Sequence, residues 1–292
     1  MAAGRWQWTV AAGLGCGGQC QTASGGHGPL PSAREPGGAA ARRRVLRRCE
    51  GVARGRASCA RAGAVLDASG MSNSGVPAGT ARASFAVVFL HGLGDRGASW
   101  RSLARQLGLE QDARIKWVML DSPVEAVTVN RGAVMPSWFD LSEIPVRERT
   151  ADDVKGLERS VALVRARVAR LAAEDGIPAG NVVVGGFSQG GAVAALAAGG
   201  ESPALAGAIM LSGWAPLRAE LSRRTARKGV AVFHGHGDDD SKVLPSLAEA
   251  SRRAMQDAGF DLTFRLYEGM DHETCVQEMA DLRDWLVKRF AL

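Results

Sequence analysis

From Ser84 onward, apolar positions along the chain switch between two rhythms. Six short runs are almost continuously apolar: Phe85–Leu90 (FAVVFL), Ile115–Leu120 (IKWVML), 182–184, 208–211, 230–233 and 262–266. Runs of that length without a polar face read as strands buried on both sides. Between several of them the period lengthens. Val154, Leu157, Val161, Val164, Val168 and Leu171 recur three and four residues apart, which predicts a helix over 151–173, opened by a Thr150…Asp153 capping pair. A second helix is expected over 246–258, stopped by Gly259. A third is expected from about Cys275 to Phe290, with Met279, Leu282, Trp285 and Leu286 on its apolar face. Strands alternating with helices predict an α/β domain, a mostly parallel sheet covered by helices on both faces, over 84–292.

Residues 1–83 lack both rhythms. They are rich in Gly, Ala, Arg and Ser and carry an Arg cluster at Arg42, Arg43, Arg44, Arg47 and Arg48. Such a segment buries too little apolar surface to offset its ordering entropy, so a disordered leader is expected. Its Arg-rich, acid-poor composition fits a transit peptide, which would direct the protein to a chloroplast or mitochondrion. The other reading takes Met71 as the working start, the upstream stretch as an extension, and the cytoplasm as the location.

Charge sharpens that division. The chain's net charge is +6, yet residues 1–70 hold ten Arg against Glu35, Glu50 and Asp67, leaving about −1 for the remainder. The body therefore has no basic excess with which to bind nucleic acid. Cys16, Cys20, Cys49 and Cys59 also lie in the leader, and Cys275 alone lies in the body, so no internal disulfide framework is expected there. No run approaches the ~18 apolar residues a bilayer span requires.

Candidate chemistry concentrates at strand ends. Val182-Val183-Val184-Gly185-Gly186-Phe187-Ser188-Gln189-Gly190-Gly191 places G-x-S-x-G between a Val-rich strand and a small-residue helix pattern. That is the strand–turn–helix context of a nucleophile elbow, with Ser188 held at the sheet edge and its hydroxyl exposed. The loop His91-Gly92-Leu93-Gly94-Asp95 follows the first strand and is placed to supply an oxyanion-hole amide. The backbones of Leu93 and Gln189 are the expected donors. His91 reads as a loop-ordering residue.

The base follows from chain order. In this elbow architecture the acid and then the histidine follow the serine, and His272, in the loop EGMDH, is the histidine that comes after every candidate acid. The acid lies in His234-Gly235-His236-Gly237-Asp238-Asp239-Asp240. Taking His236-Gly237 as the strand-end pair makes Asp240 the acid and restores D-x-x-V with Val243; taking His234-Gly235 makes it Asp238. Asp240 is the preferred register. The same stretch is also close to H-x-H-x-D-H, a di-metal hydrolase pattern, with Asp239 where the last His would stand. Further His ligands would be needed, and His91 and His272 have other roles, so no metal is expected.

Together these motifs resemble the acyl-protein thioesterase and carboxylesterase family, the lysophospholipase-like group of small α/β-hydrolases. The resemblance runs over about 85–290. FLHGLGD at 89–95 is similar to its oxyanion loop, AVMPSWFD at 133–140 to a segment beside its active site, and GIPAGNVVVGGFSQGGA at 176–192 to its nucleophile strand and elbow. HGDDDSKV at 236–243 and YEGMDHETCVQEM at 267–279 are similar to its acid and histidine loops. The resemblance implies an α/β-hydrolase fold and hydrolysis of acyl esters and thioesters, including acyl groups on protein cysteines, without a cofactor. The partners would be S-acylated proteins, small acyl esters or lysolipids. Ser188 and Asp240 lie 52 residues apart, too close for a large inserted cap domain. Met135, Trp138 and Phe187 are the expected apolar walls for substrate, and Phe139 reads equally well as core.

Overall fold

A computed structural model describes residues 83–200 and 203–292. Apart from Ala83, the leader lies outside the described residues. In chain order the elements are β1 (Phe85–Leu90), α1 (Leu103–Gln106), β2 (Ile115–Leu120), β3 (Val124–Val127), β4 (Ala133–Pro136), α2 (Val154–Asp175), β5 (Val182–Phe187) and α3 (Gln189–Gly199). They continue with β6 (Gly207–Leu211), α4 (Leu221–Arg224), β7 (Ala231–Gly237), α5 (Pro245–Asp257), β8 (Asp261–Tyr267) and α6 (Val276–Phe290). Six strands form one parallel sheet in the order β2-β1-β5-β6-β7-β8, and β3 and β4 pair as a separate antiparallel hairpin.

The pleat divides the apolar runs between two cores. Ala86, Val88, Leu90, Val182, Val184, Ala208, Met210 and Val232 face one side, where they meet Leu157, Val164, Val168 and Leu171 of α2, the alanines of α3, and Leu247 and Met255 of α5. Val87, Phe89, Val183, Ile209, Leu211 and Phe233 face the other, against Trp100, Leu103, Leu107 and the α6 residues Leu282, Leu286 and Phe290. Burial on both faces is why these strands lack polar alternation. Each fully buried large apolar side chain contributes about 1.5–3 kcal/mol of transfer free energy, so the two layers dominate the fold's stabilisation.

Several element boundaries differ from the sequence reading, among them those of α2 and β7. The α2 helix begins at Val154, and its cap is Asp153, whose Oδ1 accepts the Gly156 amide at 3.0 Å. Thr150 instead turns its hydroxyl to Glu143 and receives the Arg147 amide. Gly156 is required there, since a Cβ would sit 2.1 Å from the Asp153 carboxylate. Strand β7 runs on through His234-Gly235-His236-Gly237, all buried, because β8 pairs with it as far as Tyr267. Among the described residues no helix is long and apolar enough to cross a membrane.

Candidate active site

The site forms where β5, β6 and β7 end. Strand β5 is wholly buried and delivers Ser188 into the turn before α3. Ser188 holds φ 52° and ψ −118°, a conformation that costs an L-residue about 1–3 kcal/mol and persists only where its surroundings impose it. Those surroundings are glycines. A Cβ on Gly186 would lie 2.3 Å from the Gly190 carbonyl carbon, and one on Gly190 would lie 2.4 Å from the Leu90 carbonyl oxygen. The first turn of α3 therefore presses against the end of β1, with no room for a side chain. The Ser188 amide donates to Leu211 O at 2.8 Å, fastening the turn to β6. Ser188 keeps 8% of its surface. The residue as a whole is thus largely enclosed.

The His91-Gly92-Leu93-Gly94 loop faces this turn. A Cβ on Gly92 would stand 3.6 Å from that of Ser188. The loop is held by Gly94 N–H donating to Pro136 O at 2.8 Å and by the Trp138 indole N–H donating to His91 O at 2.8 Å. His91 is fully buried. Its Nε2 accepts the Ser122 amide at 3.1 Å, so the proton sits on Nδ1 and is donated to Gly92 O at 2.7 Å. Burial holds its pKa below the usual imidazole value, keeping it neutral and structural, as expected. Gln189 opens α3, and its side-chain amide accepts from Trp138 N at 2.9 Å and donates to Ser137 Oγ at 3.1 Å and to Phe139 O. The two expected oxyanion donors, Leu93 and Gln189, thus lie on the two segments flanking Ser188.

His272 lies in the loop between β8 and α6 and is 8% exposed. Its Nδ1 is 2.8 Å from Asp240 Oδ2, an ion-pair geometry in which Nδ1 carries the proton and Nε2 is the basic nitrogen. Asp240 is 1% exposed, and its Oδ1 accepts the Lys242 and Val243 amides, each at 2.8 Å. Asp238 is exposed, and its carboxylate accepts the Gly269 amide. Of the two registers, the one that puts an acid on His272 is that of Asp240. The acid loop is also stitched from outside: Val146 N–H donates to Lys242 O at 2.7 Å, and Leu244 N–H to Val146 O at 3.2 Å. The ring of Phe187, next to Ser188, lies 4.8 Å from that of His272, and the Ser212 hydroxyl donates to Glu273 O. Serine, histidine and acid are thereby gathered at one edge of the sheet.

The expected wall residues divide. Met135 is partly exposed beside the His91-Gly92-Leu93-Gly94 loop, its sulfur 3.7 Å from where a Gly94 Cβ would stand. Trp138 is fully buried and acts as a post under His91. Phe187 is 4% exposed, its ring between Trp100 and His272. Phe139 is core, packed edge-on against Trp214. Trp138 and Phe187 therefore offer a substrate little surface in this structure. Their apolar character was legible, but not the depth at which the loops bury them.

His234 and His236 also resolve differently from a paired metal motif. Their rings stand nearly perpendicular with centroids 5.7 Å apart. The His236 Nε2 points at Val243 O, and among the described residues no group of three or more His, Cys, Asp or Glu converges as metal donors. Burial, with His236 alongside, pushes the His234 pKa down to about 3. The sequence reading missed Glu278, which is fully buried on α6. Its signal was present: Glu278, Leu282, Leu286 and Phe290 form one row at spacing four.

Known proteins agree with this geometry. The family model described as phospholipase/carboxylesterase matches residues 71–289. Acyl-protein thioesterase 1 of Cryptococcus neoformans is 34% identical over 222 residues, covering 69% of this chain and 91% of the relative. A probable carboxylesterase of Oryza sativa is 34% identical over 212 residues, covering 72% and 79%. The crystal structure of Arabidopsis thaliana SOBER1 aligns with TM-score 0.67 at 30% identity, over 70% of this chain and 98% of that one. Zea mays acyl-protein thioesterase 2 aligns with TM-score 0.62 at 29% identity, over 74% and 96%. A parallel six-stranded sheet with a serine elbow, and sequence likeness along nearly all of the described body, place this chain in the phospholipase/carboxylesterase family of α/β-hydrolases.

Proposed function

We propose that this chain is a serine hydrolase of acyl thioesters and carboxylic esters, working as an acyl-protein thioesterase, with Ser188 as nucleophile, His272 as base and Asp240 as acid. The observation that carries the reading is the buried 2.8 Å Asp240–His272 pair beside a serine held at φ 52°. His272 Nε2 takes the Ser188 proton as Oγ attacks the acyl carbonyl. The oxyanion is received by the Leu93 and Gln189 amides, each such donor being worth about 3 kcal/mol in the transition state. The imidazolium, stabilised by Asp240, then protonates the departing thiol or alcohol, leaving an acyl-serine. Water, deprotonated by the same histidine, adds to that ester and releases the carboxylic acid and free Ser188. A thiol leaving group, with pKa about 8.5, needs that proton less than an alcohol does, so one site serves both bonds. Met135, beside the oxyanion loop, is the proposed apolar contact for the acyl chain.

A second reading, a small-molecule carboxylesterase or lysophospholipase, is supported by the 34% identity to the rice protein named a probable carboxylesterase. Initial rates on an S-palmitoylated peptide, p-nitrophenyl esters of increasing chain length and a lysolipid separate the two. The thioesterase reading expects the S-acyl peptide to have the highest kcat/KM. Preference for short esters, with no release from the peptide, would transfer the assignment to the second. We further propose the cytoplasm as the working compartment, since a single cysteine, Cys275, in residues 84–292 cannot build an internal disulfide and suits a reducing environment.

A further inference from the structure

The catalytic reading leaves His236 unused, although it is fully buried beside the acid. Its Nε2 is 2.9 Å from Val243 O and 3.3 Å from Asp240 Oδ2. Both neighbours are acceptors, so Nε2 must carry the proton. Val243 in turn donates its amide to Asp240 Oδ1 at 2.8 Å. These contacts close a ring: the His236 ring to the Val243 carbonyl, the Val243 amide to one carboxylate oxygen, and the other oxygen back to the His236 ring. His272 Nδ1 meets the same oxygen, Oδ2, at 2.8 Å. The anchor of the ring is rigid, because His236 sits within β7, paired with Leu266 of β8, and its imidazole packs edge-on against that of His234.

We propose that His236 is a positioning residue for the hydrolytic reaction: its Nε2–H fixes the 240–243 loop through Val243 and sets the aim of the Asp240 carboxylate at His272. The proposal rests on the reading of Asp240 as the triad acid. Asp240 is not in a regular element. Without His236 the carboxylate keeps the two short-range amides of its own loop, and the loop itself is held from outside by Val146. A buried polar group whose partner is removed turns to find another, and a misplacement of about 1 Å at a catalytic group costs on the order of a hundredfold in rate. His236 touches no reacting atom, so substrate binding should be spared. The spacing from His236 to Asp240 is the one that sets the register of the acid in the sequence.

Two variants of the full chain test this. His236→Leu removes the N–H and keeps the bulk apolar. His236→Gln carries an amide N–H that reaches the place of imidazole Nε2. On a short p-nitrophenyl ester, His236→Leu should lower kcat about ten- to a hundredfold with KM within about twofold, and His236→Gln should recover kcat to within about threefold of the unaltered chain. The low-field proton NMR signal of His272 Nδ1–H should be displaced or lost in the first and restored in the second. Unchanged kcat and signal in His236→Leu would overturn the proposal. So would equal damage in both variants, which would mark a packing role. Should His236→Leu not fold, nitrogen-15 shifts of histidine in the unaltered chain still decide: Nε2 protonated and Nδ1 bare is required, and the opposite tautomer refutes the ring. A chain that a fluorophosphonate does not label at Ser188 would remove the parent reading and this one with it. A labelled chain indifferent to His236→Leu removes this one alone.

Discussion

Replacing Asp240 with Asn tests the acid at the level of single protons. In the native site one oxygen of Asp240 receives the Lys242 and Val243 amides and the other faces His272 Nδ1 at 2.8 Å. Asn has one oxygen and one NH2 group. If its oxygen stays on the two loop amides, the NH2 faces His272 Nδ1, which must then accept rather than donate. The imidazole proton moves to Nε2, the nitrogen that should take the Ser188 proton, and the base is silenced. If the amide flips, its NH2 faces two backbone N–H groups with nothing to accept. The first arrangement sets the NH2 against the His236 Nε2–H and the second sets it against the loop amides, so either leaves a buried donor opposed, at about 1–3 kcal/mol of stability. The wrong tautomer costs ~10⁴ in kcat in serine triads. The expected result is therefore a folded protein, melting somewhat lower, with ester turnover down about four orders of magnitude. Asp238→Asn is the internal control. Asp238 is exposed and serves Gly269, so its loss should change turnover less than about twofold through screened field alone. Stopped-flow or steady-state hydrolysis of p-nitrophenyl butyrate measures both. Asp240→Asn within tenfold of the unaltered enzyme, or a larger loss in Asp238→Asn, would refute the reasoning.

Three further outcomes follow from the same packing. Gly190→Ala should lower the melting temperature and abolish turnover, because its Cβ would lie 2.4 Å from Leu90 O and 2.6 Å from His91 O and would push α3 off β1; a thermal melt with an ester assay checks it, and an active, equally stable variant would contradict it. His234 is neutral in the fold, with its pKa pushed down to about 3 by burial, whereas an unfolded chain protonates it near 6.5. Its contribution to stability is thus complete above about pH 6.5 and falls as pH drops toward about 3, so His234→Phe should flatten the acid limb of stability measured by urea melts. Glu278 shows the opposite linkage: burial, with Asp281 nearby, raises its pKa well above the usual carboxylate value. An unfolded chain releases that proton first, so stability falls as pH rises above about 4.5, and Glu278→Gln should raise the melting temperature more at pH 8 than at pH 5.

How much of this was legible in the sequence depended on where each residue's partners lie. The six strands could be read because burial on both faces leaves runs such as FAVVFL unbroken, and α2 because its stripe meets the sheet at regular spacing. The extension of β7 could not, since His-Gly-His-Gly has no strand signature and is made strand by pairing with β8 alone. The β3–β4 hairpin was missed because its outward residues, Val124 and Val134, are apolar yet exposed, which hides the alternation. Chain order alone singled out Ser188 and His272 as candidates. Asp240 needed a choice of register that local spacing favoured, and Asp240 is the carboxylate that meets His272 in the fold. The misjudged depth of Trp138 and Phe187 has one cause: which apolar residues near a site line it, and which hold up its loops, is set by tertiary contacts such as Trp138 to His91.

The central claim, that Ser188 is the nucleophile, is tested most directly by the covalent adduct itself. The purified chain is treated with a fluorophosphonate, digested, and its peptides mapped by mass spectrometry, with Ser188→Ala treated in parallel. The account predicts one phosphonylated peptide, modified at Ser188, loss of ester turnover in step with labelling, and neither labelling nor turnover in Ser188→Ala. A chain that hydrolyses acyl esters while unlabelled at Ser188, or a Ser188→Ala variant retaining more than about 1% of turnover, would contradict it.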